Sequence, residues 1–519
     1  MAVYNKSKYT WLAGTALAGF LVLLSGILLS PINHYFLAAL LVMGAVCVYL
    51  LQVFFVADRN WLDIRAVFSA VWMGTIGLAA LRLAEYQKPW EAKTWVLVAL
   101  AYFMLQIGAS AGIMFGKKWS VKVRQRAGKL KLGRVSFRMN PNRLFAICVI
   151  TTGIGFACFA ANVAIKGFIP CFSDIYNAYT LFYTKFHVFA VAATTVSGLC
   201  YYCIKTQPLG IFKKIILFLC IFYLVFAFPI MVVSRGVFVV AAVSLSVTVF
   251  YLHRKKLIAF ILCLAVILGV YVFTSGLRNY TDEQLDTFFE PAQIQLPNND
   301  KQEQLPTNDA QEQIPTNDTQ EQLPTNDGVT DTTPPTHTGE LIETHPGSEG
   351  TEPSQGRTFS LSPKMAFLYS YITVSHDNFN EAVKHTQVYT WGGRQLSPFN
   401  VILRSSWIKE LAAKGEFFQV NPYLNTINLI GDFYYDFGVP GVVVCMLLWA
   451  FIFGLIQSFC TEGGGIFALM TLGNTMTPVA LCFFSTWLSV FSHWMMWGTV
   501  LLLCLASCIK IEPKTSLRG

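Results

Sequence analysis

The stretch LNTINLIGDFYYDFGVPG, residues 424–441, stands where a long polar region gives way to an apolar run. Asp432 and Asp436 are four positions apart, so a helix places both carboxylates on one face. The sequence GVPG at 438–441 then interrupts the helical pattern. A carboxylate pair at the mouth of a hydrophobic span is costly, and it marks a candidate site. The alternative is an interfacial belt of aromatic residues whose acids stay among the lipid headgroups.

The composition around this stretch is that of a membrane protein. Of the 519 residues, 54% are hydrophobic and 13% are charged, and the mean hydropathy is +0.50. Apolar runs of about twenty residues recur along the chain, and this length crosses a bilayer core. The first run, residues 11–30, lacks a clear cleavage site for a signal peptide and is followed at once by a second run. We therefore expect it to be the first membrane helix.

We predict an all-α integral membrane protein with about twelve transmembrane helices. A basic segment at 117–143 contains ten Lys and Arg and no acid, which predicts a cytoplasmic loop. Alternation from this loop places both termini in the cytoplasm and one large external loop between helices nine and ten. The predicted spans are 10–30, 35–56, 66–84, 94–115, 144–164, 188–204, 215–233, 237–252, a ninth that ends near 275, 438–458, 466–484 and 489–509.

A nucleic-acid-binding patch is the alternative for the basic segment. Basic loops between membrane spans are expected in any case. We therefore predict no nucleic-acid partner, and the lipid bilayer itself as the surroundings of the chain.

The external loop has several predicted parts. After a short start at 276–289, an acidic insert at 290–357 contains the nine-residue units NDKQEQLPT, NDAQEQIPT and NDTQEQLPT. Each unit has one aliphatic position beside a proline and cannot bury a core, so we predict a disordered spacer. Ordered external helices should follow at 358–437. Outside this loop, we predict membrane helices one to nine at 1–275, and helices ten to twelve with a cytoplasmic tail at 438–519.

Arg235 is the single charge between two apolar runs, on the predicted external side. A guanidinium at membrane depth costs ~2.5–3.5 kcal/mol on insertion scales, so it should have an anionic partner. The alternative is an arginine that snorkels from a tight turn. The other candidate residues on this side are Arg278, Arg394, Arg404 and His376 for binding, with Asp377, Asp432 and Asp436 as candidate catalytic carboxylates.

This set of residue types suits a particular chemistry. Several arginines around one site suit a diphosphate, because the planar guanidinium binds phosphate oxygens bidentately. A nearby carboxylate can take the proton of an attacking hydroxyl, and which of the three does so stays open. A membrane glycosyltransferase that uses a polyprenyl-diphosphate sugar needs these parts. The chain contains no P-loop, HExxH, paired CxxC or nucleophile elbow, and we predict neither a cofactor nor a metal.

Four stretches, in this order, resemble the bacterial oligosaccharide repeat unit polymerases, the Wzy-type O-antigen and capsule polymerases. They are GFIPCFSDIYNAYT after the fifth span, SRG at 234–236, YSYITVSHDNFN in the external loop, and GDFYYDFGVPG at 431–441. The resemblance covers most of the membrane region and leaves out the nine-residue repeats. It maps the arginine of the family onto Arg235 and its acidic late-helix motif onto Asp432 and Asp436.

The resemblance implies a fold similar to the GT-C-like polymerases and ligases. It implies metal-independent transfer of a growing glycan from undecaprenyl diphosphate to a new lipid-linked repeat unit. The location would be the bacterial inner (cytoplasmic) membrane, with the site facing the periplasm or the exterior. A chain-length regulator protein is an expected partner at the level of the family.

Two other functions compete with this interpretation. A lipid-linked oligosaccharide flippase or another transporter would also have twelve helices, but the two halves of the chain show no internal repeat. An O-antigen ligase would share the architecture and the donor, and would differ in its acceptor, the lipid A core.

Overall fold

The computed structural model of the chain describes residues 2–84, 86–129, 140–173, 178–253, 363–420, 424, 426–461 and 465–508, with 258, 261 and 269. These residues form helices and connections, and none of them lies in a β-strand. The helices before the insert are α1 Ala2–Leu24, α2 Gly26–Ile32, α3 His34–Leu51, α4 Ile64–Ala80, α5 Ala92–Lys129, α6 Pro141–Lys166, α7 Ala178–Leu181, α8 Lys185–Ala193, α9 Val196–Thr206, α10 Ile211–Phe222, α11 Phe228–Val232 and α12 Arg235–Leu252. The later helices are α13 Pro363–His385, α14 Gly393–Leu396, α15 Asn400–Leu403, α16 Ser406–Ala413, α17 Gly431–Thr461, α18 Gly465–Ala480 and α19 Phe491–Cys508.

The part of the chain that the structure describes contains eight helical segments long and apolar enough to cross a membrane. They are Ser7–Ile32, His34–Val56, Ala92–Trp119, Pro141–Lys166, Lys185–Thr206, Ile211–Val232, Arg235–Leu252 and Gly431–Thr461. They confirm a helical membrane protein. The third, eleventh and twelfth predicted spans correspond to the shorter helices α4, α18 and α19. The ninth predicted span and the acidic insert lie outside the residues listed above, apart from three isolated positions.

Two predicted boundaries differ from the structure. The basic segment is not a loop throughout, because α5 continues from the membrane span to Lys129. Lysine and arginine are good helix formers, so the end of an apolar run does not end the helix. The tenth predicted span was expected to begin at 438, but α17 begins at Gly431 and includes both aspartates.

Helices α5 and α17 pack closely against each other through glycines on α5. The facing residues are Gly108 with Leu447, Gly112 with Phe451, and Gly116 with Ser458. Their numbers rise together, so the two helices run in the same direction, as the predicted alternation of spans four and ten requires. Small residues spaced by four allow membrane helices to approach backbone to backbone.

Several contacts bring predicted cytoplasmic ends together. Lys8 forms an ion pair with Asp58, and the Arg143 guanidinium donates to the carbonyl of Ala506. The Tyr201 hydroxyl lies 2.6 Å from the His253 ring nitrogen Nε2. The relative directions of these helices therefore agree with the predicted topology.

A buried polar cluster lies near the same end of the bundle. Arg65 and Asp63 form an ion pair of 2.8 Å, and the Gln457 amide donates to the same carboxylate at 2.8 Å. Gln106 connects this cluster to Gln52 at 3.0 Å. The cluster joins α4, α5 and α17 to the residue that follows α3, and each of its charges has a partner.

Candidate functional site

The first two turns of α17 carry the two aspartates that the sequence singles out. The Asp436 side chain is fully buried and the Asp432 side chain is 12% exposed, and both face residues 390–395. The prediction that they share a helical face therefore agrees with their contacts. Their partners differ, however, and the difference separates their roles.

Asp436 binds the backbone of the neighbouring segment. Its Oδ1 accepts from the amide of Arg394 at 3.0 Å, and its Oδ2 accepts from the amide of Gln395 at 3.0 Å. The Thr390 hydroxyl also donates to Oδ1. This carboxylate, which is fully buried, is thus occupied in holding the start of α14.

A kink in α17 explains why the segment docks there. Gly438 has φ 64 and ψ −145, a conformation that glycine adopts readily, and Pro440 has no N–H to offer the carbonyl of Asp436. The amide of Trp391 donates to that carbonyl at 3.0 Å, and the amide of Thr390 donates to the carbonyl of Tyr435 at 2.9 Å. The GVPG sequence thereby makes two carbonyl groups of α17 available to accept hydrogen bonds from the docked segment.

Asp432 faces a side-chain cation. Its Oδ1 lies 3.7 Å from Nη1 of Arg394, and the guanidinium stacks on the Tyr435 ring with its carbon 3.9 Å from the ring centroid. The Arg394 Nη2 also donates to the carbonyl of Glu416 at 3.4 Å. The Asp432 side chain is 12% exposed and the Arg394 side chain 18%, so solvent reaches the pair.

Arg235 forms a second arginine–aromatic stack. It is 3% exposed at the first turn of α12, and its guanidinium carbon lies 4.3 Å from the centroid of Tyr371 and 5.6 Å from that of Phe367. The residue before the SRG sequence, Val233, has φ 53. A β-branched residue in that region is strained, and such strain concentrates at functional sites.

The two stacks are joined by residues 483–489, which we name the bridging segment. Phe484 stacks on Tyr371 with ring centroids 4.6 Å apart, and Trp487 lies against Gly236. At its other end, the Ser489 hydroxyl accepts from the Gln395 amide at 3.3 Å and neighbours Asp432. The structure thus brings Arg235, Arg394 and Asp432 around one short segment.

His376 and Asp377 lie elsewhere, inside the stretch SHDNFN on α13. His376 is fully buried, with Nδ1 3.1 Å from the Asn428 amide nitrogen and Nε2 3.0 Å from the Thr75 hydroxyl. Burial lowers the pKa of His376 to about 3, so the ring is neutral. The sequence predicts that His376 binds the diphosphate. A neutral, enclosed imidazole is unsuited to that role.

Asp377 is also enclosed, by uncharged donors. The Trp90 indole donates to Oδ1 at 2.8 Å and the Gln87 amide donates to Oδ2 at 2.9 Å. Burial raises the pKa of Asp377 to about 7, against the lowering effect of those two hydrogen bonds. The neighbouring Asn378 binds Val420, Leu424 and Thr426. Asn380 binds Glu91 and Thr94, so the stretch connects α13 to distant parts of the chain.

We expect Asp377 to make stability depend on pH. From about pH 4 to about pH 7 the folded protein keeps a proton on Asp377 that the unfolded chain releases. A rise in pH through that window therefore lowers the free energy of unfolding, by up to about 1.4 kcal/mol per pH unit. Asp377→Asn should flatten this slope, measured as the apparent melting temperature of the purified protein between pH 4 and pH 8. Parallel profiles for the two proteins would contradict the assignment.

Of the remaining predicted residues, Arg404 does not join the site. Arg404 is exposed at the end of α15, and Arg278 lies outside the residues that the structure describes. Within the described part of the chain, no group of three or more His, Cys, Asp or Glu could hold a metal ion.

Sequence reasoning overlooked Tyr371 and Tyr435, because an aromatic residue on a helix gives no signal of an arginine partner. It also overlooked Lys93, whose ammonium donates to the Tyr434 hydroxyl at 2.9 Å. The resulting arrangement offers two guanidinium groups, stacking faces and one partly exposed carboxylate. Comparison of the chain with protein-family models, with curated proteins and with solved structures finds no match.

Proposed function

We propose that the chain is a polymerase of lipid-linked oligosaccharide repeat units in the biosynthesis of a surface polysaccharide. The observation that carries this proposal is the pair of arginine–tyrosine stacks around the bridging segment, with Asp432 beside one of them. Guanidinium groups suit the diphosphate of an undecaprenyl-linked donor, and aromatic faces suit sugar rings. The sequence resemblance to Wzy-type polymerases gives the same function.

The proposed reaction transfers the growing glycan to a hydroxyl of the new repeat unit. The hydroxyl oxygen attacks the anomeric carbon, the bond from that carbon to the diphosphate oxygen breaks, and the hydroxyl proton passes to Asp432. The electron pair of the broken bond leaves on undecaprenyl diphosphate, whose charge Arg235 and Arg394 stabilise. No metal is required for these steps.

Asp432 is the preferred base among the three carboxylates. Asp436 accepts hydrogen bonds from two backbone amides and one hydroxyl, and Asp377 is enclosed by Trp90 and Gln87. Asp432 is partly exposed and faces the cation that would also meet the substrate. A base must reach the proton that it removes, and Asp432 is the most exposed of the three carboxylates.

The proposal includes the membrane arrangement. The eight candidate spans, the shorter apolar helices α4 and α19, the helix α18 and a ninth span ending near residue 275 would give twelve spans in a GT-C-like architecture. Both termini would lie in the cytoplasm of a bacterium, and the site would open to the periplasm or the exterior. The grouping of the predicted cytoplasmic ends supports this arrangement.

Arg235→Ala in the native host tests the function. We expect the surface glycan to collapse from a ladder to a single repeat unit, with activity lowered about 10²–10³-fold, as when one stabilising donor of an oxyanion is lost. Arg235→Lys should restore little, because an ammonium lacks the bidentate fork and stacks less well. The ladder is measured by gel after membrane abundance has been confirmed by immunoblot.

The outcomes separate the competing functions. If lipid-linked units accumulate inside the cell and no repeat reaches the surface, the chain is a flippase. Polymer that accumulates on the carrier lipid without reaching lipid A core indicates a ligase. An unchanged ladder removes Arg235 from the site.

A further inference from the structure

Three large apolar side chains lie exposed outside the candidate spans, close together in sequence. Ile402 is 64% exposed, Leu403 is 62% exposed and Trp407 is 57% exposed. We name these three residues the apolar patch. Exposed apolar side chains that cluster in this way indicate an interaction surface.

The backbone turn between α15 and α16 leaves the side chains of the apolar patch exposed. The short helix α15 ends at Leu403, and Arg404 takes the left-handed conformation with φ 48. The Asn400 side chain accepts from the amide of Ser405 at 2.7 Å, which fixes this turn. On α16, Ile408 and Leu411 are buried against the protein, whereas Trp407 points away from it.

Aromatic contacts place this region beside the apolar part of α17. Phe399, just before the patch, packs on Trp494 with ring centroids 5.1 Å apart, and Trp494 packs on Trp449 at 5.6 Å. Trp449 is eleven residues beyond the kink at Gly438, about 16 Å along the helix at the usual rise per residue. Two ring contacts therefore separate Phe399 from Trp449, which lies in the apolar section of a candidate membrane-spanning helix.

Next to this ring contact, α17 has an exposed apolar side chain. Leu448, next to Trp449, is 56% exposed, as is usual for a side chain that faces lipid. The apolar patch follows Phe399 by three to eight residues. Around it, Arg404 and Lys409 are exposed, and long basic side chains with tryptophan are typical of the membrane interface.

We propose that the apolar patch inserts into the bilayer leaflet on the side of the candidate site, where lipid acyl chains cover Ile402, Leu403 and Trp407. The segment would lie in the interface as a pair of short helices, whose own hydrogen bonds satisfy much of the backbone. Because Arg394 is on the same segment, this anchoring would also set the depth of its guanidinium. The inference does not depend on which reaction the chain catalyses.

Cysteine labelling of the full-length protein in lipid nanodiscs tests the insertion. Ile402→Cys, Leu403→Cys and Trp407→Cys are compared with Lys409→Cys and Lys414→Cys, two exposed positions on or just after α16. The wild-type chain gives the background of native thiols. We expect the patch positions to react with a water-soluble maleimide at least about tenfold more slowly, because apolar surroundings suppress the reactive thiolate. Equal labelling rates at the patch and control positions would overturn the proposal.

A photo-reactive phenylalanine at position 403, with position 409 as the control, identifies what covers the patch. Cross-linking to phospholipid at 403 and little at 409, read by mass spectrometry, supports insertion into the bilayer. Cross-linking at 403 to a peptide of this chain in place of phospholipid would overturn the proposal.

Discussion

Asp432→Asn should abolish polymerisation while leaving a folded protein in the membrane. The amide cannot accept the proton of the attacking hydroxyl, and loss of a positioned base lowers rates by about 10²–10⁴-fold. The structural cost should be small, because the 3.7 Å contact with Arg394 is partly exposed. The measurement is the rate of polymer formation in membrane vesicles supplied with lipid-linked repeat units, with the melting temperature of the purified variant beside it.

Asp436→Asn is the matched control, one helical turn further along. Its carboxylate holds the backbone amides of Arg394 and Gln395, and one oxygen of an amide side chain cannot replace both. We expect a loss of about 1–3 kcal/mol in stability, seen as lower abundance and a lower melting temperature. If Asp436→Asn kept its stability and lost polymerisation, the roles of the two aspartates would have to be exchanged.

Gly112→Ala should have the largest effect on stability. A Cβ atom at this position would lie 2.0 Å from the carbonyl oxygen of Phe451 and 2.8 Å from the amide of Leu455. Both contacts are backbone atoms, which cannot rotate away as a side chain can, so α5 and α17 must separate. Overpacking typically costs about 1–3 kcal/mol and occasionally more. The melting temperature in detergent and the abundance in the membrane measure it.

Gly153→Ala is the control for Gly112→Ala, because it also replaces a glycine within a candidate membrane-spanning helix. Nothing lies within 4 Å of a Cβ atom at this position, which is also in a candidate membrane-spanning helix. Alanine should be neutral there or stabilising by up to about 1 kcal/mol, because it favours the helix. Similar losses for both variants would show that the close packing of α5 on α17 is not the cause.

The sequence contained enough to predict a helical membrane protein. Long apolar runs and basic connections give the approximate positions of the spans, since both follow from the cost of placing charge in lipid. Hydropathy does not report where a helix ends, and α5 shows this by continuing to Lys129.

The site was predictable in part. Because Arg235 is a single charge between apolar runs, the sequence predicts that it belongs to a site. The spacing of Asp432 and Asp436 predicts that they share a helical face. Their different partners were not predictable, because Thr390 to Gln395 reach α17 only through a backbone kink. The sequence predicts that His376 and Asp377 belong to the site on the external side. In the structure, Thr75 and Gln87, about 300 positions earlier in the chain, enclose them.

The kink at Gly438 and Pro440 has a consequence for protein engineering. The docked segment is held by two carbonyl groups and one carboxylate of α17, whereas the side chain of Trp391 is 66% exposed. Groups on α17 therefore determine where residues 390–395 dock. A transplant of residues 390–395 onto another scaffold should therefore fail unless the acceptor helix carries the same glycine and proline, together with the aspartate four residues before that proline.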